Sequence, residues 1–215
     1  LASDNGVTPV GTRAHELQMG ITALLFDGSE RSIRESVLLL NNQWWKKYGH
    51  GLSIDLPDTY GTEYIMSILP ETMLRDWKGQ RIDSKDPMQA IPYIMDQYNK
   101  QGIDPRKKML IPSDGLKLND MFTVADAFAD KVDLSFGWGT RFSNNLGLPL
   151  LSIVMKPHSI ELKNETLAQK PFSTGKKFCV KLSDNIEKAM GEPSTVAAYK
   201  KALGYHETYA KECEV

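Results

Sequence analysis

Residues 109–140 read MLIPSDGLKLNDMFTVADAFADKVDLSFGWGT. The run Met109-Leu110-Ile111-Pro112 is apolar, rich in strand-forming residues, and ends abruptly at Ser113-Asp114-Gly115. Beyond that turn Met121, Val124, Ala125 and Phe128 recur at helical spacing, which predicts a helix capped by Asn119 and running to Asp130. A second apolar run over 132–136 then ends in Gly137-Trp138-Gly139-Thr140. Strand, helix and strand within so short a span form the unit of a parallel sheet, because the returning strand needs a crossover of about a dozen residues or more.

The same grammar extends in both directions. Upstream, strands are expected over 52–56 and 80–82. Helices are expected over 14–26, with Thr12 as cap and Leu17, Ile21, Leu24 and Leu25 on one face, and over 32–48, with Val37, Leu40, Trp44 and Tyr48 on one face. Short helical pieces are expected over 63–69 and 71–77. Asp86-Pro87 is an N-cap followed by proline at the first helical position, and that helix should end near Gly102 with Pro92 kinking it or shifting its start. Downstream come strands over 151–155 and 177–182 and a last helix over 194–203 with Gly204 as its C-cap.

The expected class is therefore α/β with parallel strands. Polar residues follow the strands: Gly11-Thr12, Asp58-Thr59, Asp83-Ser84, Ser113-Asp114 and Gly137 to Thr140. In parallel α/β folds ligands bind at the carboxyl ends of strands, so these turns should share one mouth. About five strands are too few to close an eight-stranded barrel. The expectation is one domain over 1–215, part of an irregular TIM-like barrel whose N-terminal portion is missing, with 157–215 as a C-terminal extension carrying a short strand and the final helix.

The 215 residues are 41% hydrophobic and 25% charged, with a net charge of −1. That balance offers no global basic field for nucleic acid or an anionic membrane, so any phosphate-binding group must be local. No apolar run approaches the roughly 20 residues of a membrane span. Cys179 and Cys213 lack paired spacing and a histidine neighbour, and read as free thiols of a reducing compartment. Nothing asks for zinc, haem or flavin.

The candidate chemistry lies in the turns. Glycines at 137 and 139 would let the backbone approach a phosphate, although a short Gly-x-Gly alone reads as readily as a plain turn. Ser113-Asp114-Gly115 repeats that design one strand earlier. The loop Arg81-Ile82-Asp83-Ser84-Lys85-Asp86-Pro87 packs a guanidinium, two carboxylates and an ammonium together. There Arg81 suits a phosphate, Asp83 suits ribose hydroxyls or a divalent cation, and Asp86 is kept for the helix cap. His15 opens a helix with Glu16 beside it and is either a packed histidine or a nucleophile. A phosphorylated His15 beside Glu16 would need Arg13 or Mg²⁺ close by. His50, His158 and His206 sit in loops without partners, and Lys156 is the one rough candidate for a Schiff-base lysine of an aldolase-like alternative.

Taken in order, these segments resemble the nicotinate phosphoribosyltransferase family. Gly6-Val7-Thr8-Pro9-Val10-Gly11-Thr12-Arg13-Ala14-His15-Glu16 resembles its segment around a phosphorylatable histidine, and Asp58-Thr59-Tyr60-Gly61-Thr62 its second strand-end motif. Arg81 to Pro87 resembles its Arg-x-Asp-Ser-Gly-Asp-Pro loop. Gly102-Ile103-Asp104-Pro105, Ser113-Asp114-Gly115-Leu116 and Ser135-Phe136-Gly137-Trp138-Gly139-Thr140 follow in the family's order, and Lys181-Leu182-Ser183-Asp184-Asn185 with Lys188 to Pro193 is similar to its C-terminal region.

The resemblance implies phosphoribosyl transfer from phosphoribosyl pyrophosphate to nicotinate in NAD salvage. It implies coupling to ATP hydrolysis through a phosphohistidine, with Mg²⁺ accompanying the polyphosphates. It implies His15 as that histidine, Asp58 as an acid lining the pocket, and Arg81 and Asp83 near the phosphoribosyl group. Ser113, Asp114, Gly115, Gly137, Gly139 and Thr140 would lie around the 5′-phosphate. The implied partners are these small molecules and the missing N-terminal half, which would supply the pyridine-ring clamp; a homodimer is admitted and a cytoplasmic location expected. Lys85 departs from the family's Gly and would be strained if that position needs positive φ. Two alternatives stand beside this reading: the relative that uses nicotinamide, and a catalytically inert fragment or assembly module.

Overall fold

The structure is a computed structural model that describes residues 3–6, 10–143, 147–149, 151, 153–163 and 172–205. Four strands, β1 (Ile54–Asp55), β2 (Gly79–Ile82), β3 (Met109–Pro112) and β4 (Asp133–Leu134), form one sheet in sequence order, and every pair is parallel. Helices make the crossovers: α3 (Thr62–Ile68) and α4 (Glu71–Asp76) between β1 and β2, α5 (Pro87–Lys100) before β3, and α6 (Leu118–Phe128) before β4. Ahead of the sheet run α1 (His15–Leu25) and α2 (Glu30–Tyr48). After it come the single turn α7 (Thr140–Ser143), the hairpin β5 (Ser159–Leu162) with β6 (Gly175–Phe178), and α8 (Pro193–Leu203). The α/β class with parallel strands is therefore present. Val7 to Pro9, His206 and Cys213 lie outside the described residues.

The main core lies where the inner faces of α2, α3, α5, α6 and α8 meet the sheet. Ile33, Val37, Ile65, Ile91, Ile94, Leu110, Val124 and Tyr199 are buried there. Asp86 caps α5 as expected, accepting the Met88 N–H at 2.9 Å, and the helix continues through Pro92. Gly204 ends α8 with φ +66.

Several local expectations fail for physical reasons. Thr12 does not cap α1: its hydroxyl donates to the Arg13 carbonyl, and Ala14 holds the cap position. The expected stripe of α1 is only partly its buried side: Leu24 is buried and Ile21 and Leu25 are half-buried. Leu17 is exposed, and Gln18 and Thr22 turn inward because Gln18 donates to Thr22 Oγ1 and to Ser36 Oγ across on α2. α2 begins earlier, capped by Ser29 rather than opening at Ser32. Tyr48 lies in the open, and Trp44 is half-buried, with its indole N–H on the Leu52 carbonyl. α6 is capped at Lys117, whose backbone N–H donates to Asp120, and not at Asn119. The expected strand over 151–155 is absent: Leu151, Ile153, Val154 and Met155 are exposed there without sheet partners among the described residues. The late strand pairs antiparallel, β5 with β6, and ends at Phe178; Lys181 makes only an isolated bridge to Met190.

Candidate active site

The turns after β1, β2 and β3 meet at the first residue of α1. The His15 ring is buried between them. Its Nδ1 lies 2.9 Å from Thr59 Oγ1, its Nε2 3.0 Å from Asp83 Oδ2 and 3.5 Å from Asp58 Oδ1. The ring is therefore held on both nitrogens by residues that follow strands, the arrangement expected at the carboxyl edge of a parallel sheet. Ser84 donates to Asp58 Oδ2 at 2.7 Å, which ties the first turn to the second.

Asp83 is the hub of the second turn. Its Oδ1 accepts from Arg81 at 2.6 Å and from the Ser113 hydroxyl at 2.8 Å, and Arg81 Nε also donates to Ser113 Oγ at 2.8 Å. Burial pushes the Asp83 carboxyl up, but the His15 hydrogen bond, the Arg81 charge and the Ser113 hydroxyl outweigh it, so the group stays well below the usual carboxylate range. Asp184, on the far side of Asp58, is shifted the other way. Burial dominates there, and Asp58 adds repulsion against the two hydrogen bonds from Thr62.

These opposite shifts fix a sign. A depressed folded pKa contributes stability that is complete above the unfolded value, about 3.9 for aspartate, and is lost as pH falls below it. Asp184, with its folded pKa raised, offsets part of this by favouring the folded state on acidification. We expect urea midpoints of the unmodified chain to fall as pH drops below about 4, and Asp83→Asn to flatten that acid limb. Parallel curves for the two proteins would show that Asp83 has no such linkage.

Of the residues singled out from the sequence, His15, Asp58, Asp83, Arg81 and Ser113 form one connected network. Asp114 joins through Lys188, whose ammonium bonds the Asp83 carbonyl at 2.9 Å and the Asp114 carboxylate. Gly115 turns the chain with φ +53. Gly137 packs against Ser113 so closely that a Cβ there would meet the Ser113 Cβ at 2.6 Å, and its N–H donates to Pro112. The Gly139 carbonyl accepts from the Phe142 N–H, and Thr140 opens α7.

Three partners of the ring or its network went unassigned in the sequence. Thr59 was visible only as part of a strand-end turn. Lys188 was visible only within a C-terminal segment. Lys181, buried with its ammonium 3.2 Å from His15 Nε2 and 3.3 Å from Asp58 Oδ2, lies 166 residues from His15 and was visible only as the first residue of the Lys181 to Asn185 segment. Of the two cations expected near His15 and Glu16, Arg13 does not pair with Glu16. Lys156 pairs with Glu16 at 2.6 Å, which also withdraws it from a Schiff-base role, while Arg13 turns beneath α1 to Asn41 and Asp55.

His15, Asp58 and Asp83 each offer one ligand atom, all within 4.8 Å of one another. They do not fit a resident Mg²⁺. That ion takes near-octahedral oxygen ligands and keeps several waters, and here the Lys181 ammonium already stands against two of the three groups. A cavity of about 370 Å³ lies alongside, lined by Ser84, Lys85, Asp114, Gly115, Lys117 and Asn185 among others; its lining does not include His15 or Asp83.

The profile of the nicotinate phosphoribosyltransferase (NAPRTase) family matches residues 1–207. The chain belongs to the nicotinate phosphoribosyltransferase family. Among solved structures it is similar to the nicotinate phosphoribosyltransferase of Porphyromonas gingivalis, with 27% identity and a TM-score of 0.78 over 94% of this chain and 49% of that one. It is also similar to that of Vibrio cholerae, with 27% identity and a TM-score of 0.73 over 96% of this chain and 46% of that one. A Saccharomyces cerevisiae protein named for the same activity gives 26% identity and a TM-score of 0.70 over 95% of this chain and 47% of that one. The chain thus spans about half the length of these relatives.

Lys85, which replaces the glycine of the family loop, is accommodated. Among the described non-glycine residues only Ser183 has positive φ, so Lys85 needs no left-handed backbone. Its ammonium pairs with Glu63 at 2.8 Å and lies over the Tyr93 ring.

Proposed function

We propose that this chain is the phosphate-handling half of a nicotinate phosphoribosyltransferase of NAD salvage, forming nicotinate mononucleotide and pyrophosphate, and that His15 carries a phosphoryl group from ATP in a ligase-type coupled cycle. The observation that carries this reading is the His15 ring held between Thr59 and Asp83 within a network that ends in Arg81 and Ser113.

The chemistry suits the groups. Displacement at the anomeric carbon passes through an oxocarbenium-like state, which the carboxylates of Asp58 and Asp83 can stabilise, as acids do in glycoside cleavage. Arg81 and the turns at Ser113 to Gly115 and Gly137 to Thr140 would hold the 5′-phosphate and fix the distance to the incoming nitrogen. Lys188 would set Asp114 for the ribose or phosphate. Mg²⁺ would arrive on the polyphosphates and neutralise part of their charge. The described sheet would continue into an irregular α/β barrel as a single domain, with 157–215 as an extension. The remaining length of the enzyme would clamp the pyridine ring, and a homodimer and a cytoplasmic location go with this reading. No helix among the described residues is long and apolar enough to cross a membrane.

The test is product formation. The enzyme containing this chain, given phosphoribosyl pyrophosphate and Mg²⁺, should convert nicotinate to its mononucleotide faster when ATP is added. Turnover of nicotinamide in preference to nicotinate would favour the sister activity, and neither product would leave an inert module.

A further inference from the structure

The ammonium of Lys181 is buried against the reacting ring and has no part in the roles above. Its backbone is held firmly. Lys181 and Met190 exchange both hydrogen bonds at 2.9 Å, and Leu182 N–H donates to the Thr59 carbonyl at 2.9 Å. Thr59 is also the residue whose hydroxyl meets His15 Nδ1. One connected piece of backbone therefore sets the partners of both ring nitrogens.

A proton inventory gives this arrangement a consequence. An ammonium has three donors and no lone pair, so it can meet Nε2 at 3.2 Å in a hydrogen bond only where Nε2 carries a lone pair. In that tautomer the ring proton sits on Nδ1 and is donated to Thr59 Oγ1. Asp83 Oδ2, 3.0 Å from the same Nε2, favours the opposite tautomer. Asp83 has Arg81 and Ser113 as further donors, whereas Lys181 bridges Nε2 to Asp58. The other charges around the ring are Asp58, Asp83, Arg81 behind Asp83, and Glu16, which Lys156 pairs.

We propose that Lys181 is a further catalytic residue: it draws His15 from the tautomer that donates to Asp83 into the one whose Nε2 lone pair is free to attack, and then binds the phosphoryl group that Nε2 receives. This rests on the reading of His15 as the phosphorylated residue. In the step, the Nε2 lone pair forms a bond to the γ-phosphorus of ATP. The bond from that phosphorus to the bridging oxygen breaks, ADP leaves with the electron pair, and the ring proton stays on Nδ1. The new phosphoryl oxygens stand beside the carboxylates of Asp58 and Asp83, whose repulsion the Lys181 charge offsets at close range.

The experiment uses Lys181→Met, with Lys181→Arg keeping the charge and Lys181→Leu as a second neutral, donor-free form should the Met protein melt early. Histidine ring-nitrogen NMR on this chain, with His15 assigned through His15→Asn, reads the tautomer without any turnover. We expect a larger share of Nδ1–H in the unmodified protein than in the folded neutral variant, where Nε2–H faces Asp83. In the enzyme containing this chain, the rate of phosphorylation by labelled ATP should fall at least about tenfold in the neutral variant, the loss of one charge-assisted hydrogen bond, and recover in Lys181→Arg. An unchanged tautomer or an unchanged phosphorylation rate in a folded neutral variant overturns the proposal. Acid-labile phosphate persisting in His15→Asn overturns instead the reading on which it rests.

Discussion

His15→Asn is expected to reduce acid-labile phosphorylation by labelled ATP to background and to lower ATP-stimulated turnover at least about a hundredfold, the range for removal of a group that reacts directly. Asparagine is smaller than histidine, and its amide can still meet Thr59 Oγ1, so the packing between Thr59 and Asp83 should survive. What disappears is a nitrogen whose lone pair can take up phosphorus. On the proposed reading, phosphoribosyl transfer that does not pass through ATP relies on Arg81, Asp83 and the phosphate turns, and should persist at a slower, uncoupled rate. The checks are acid and base lability of the labelled protein together with turnover measured with and without ATP. Retained acid-labile label, or an undiminished response to ATP, would remove His15 from the mechanism.

The second large effect concerns stability. Arg13 and Asp55 are both buried, and the Arg13 guanidinium reaches Asp55 and Asn41. Burial lowers the Arg13 pKa, and the Asp55 charge and hydrogen bond only partly restore it, so this cation depends on its partner. Asp55→Leu would leave an obligate cation buried without a counter-charge, a change that costs about 3–5 kcal/mol. In a chain of this length that corresponds to a fall in Tm of roughly 10 °C. The double replacement Arg13→Met with Asp55→Leu should recover much of the loss, because two neutral side chains carry no unpaired charge. Thermal melts of the two single variants and the double variant would reveal the coupling. Single variants within about 1 kcal/mol of the unmodified protein would mean that water reaches the pair. His15 follows Arg13 by two residues, so the same single replacements should also loosen the ring.

The sheet and its mouth were legible because they rest on local rules. Apolar runs end at Asp58, Asp83 and Ser113, and a polar residue just past a buried strand has only the sheet's carboxyl edge to face. Asp86-Pro87 fixed the start of α5 in the same local way. The errors arose where a distant partner overrode local pattern. Leu17 and Ile21 looked like the inner face of α1, but Ser36 on α2 draws Gln18 and Thr22 inward. Arg13 was, with Mg²⁺, one of two cations expected close to a phosphorylated His15 and Glu16, but the extended backbone ahead of α1 sends it to Asp55, and Lys156 takes Glu16 from 140 residues away. Residues 151–155 have the composition of a buried strand, and composition alone does not supply a neighbour to pair with. Lys181 was hidden in what read as an ordinary strand end.

The backbone clasp around Lys181 also bears on the order in which the molecule forms. The ring contacts with Thr59 and Asp83 close loops of 44 and 68 residues, but the Lys181 contact spans 166. Closing the longest rather than the shortest loop adds only about 1 kcal/mol of entropy, because that cost grows with the logarithm of length. Its effect is on rate, since contacts this remote in sequence form late. During synthesis the strands β1 to β4 leave the ribosome and can pair well before residues 181–190 exist. The segment that carries Lys181 and bonds Thr59 therefore follows the sheet, so a growing chain can own β1 to β4 while the His15 ring still lacks the ammonium on its Nε2 side.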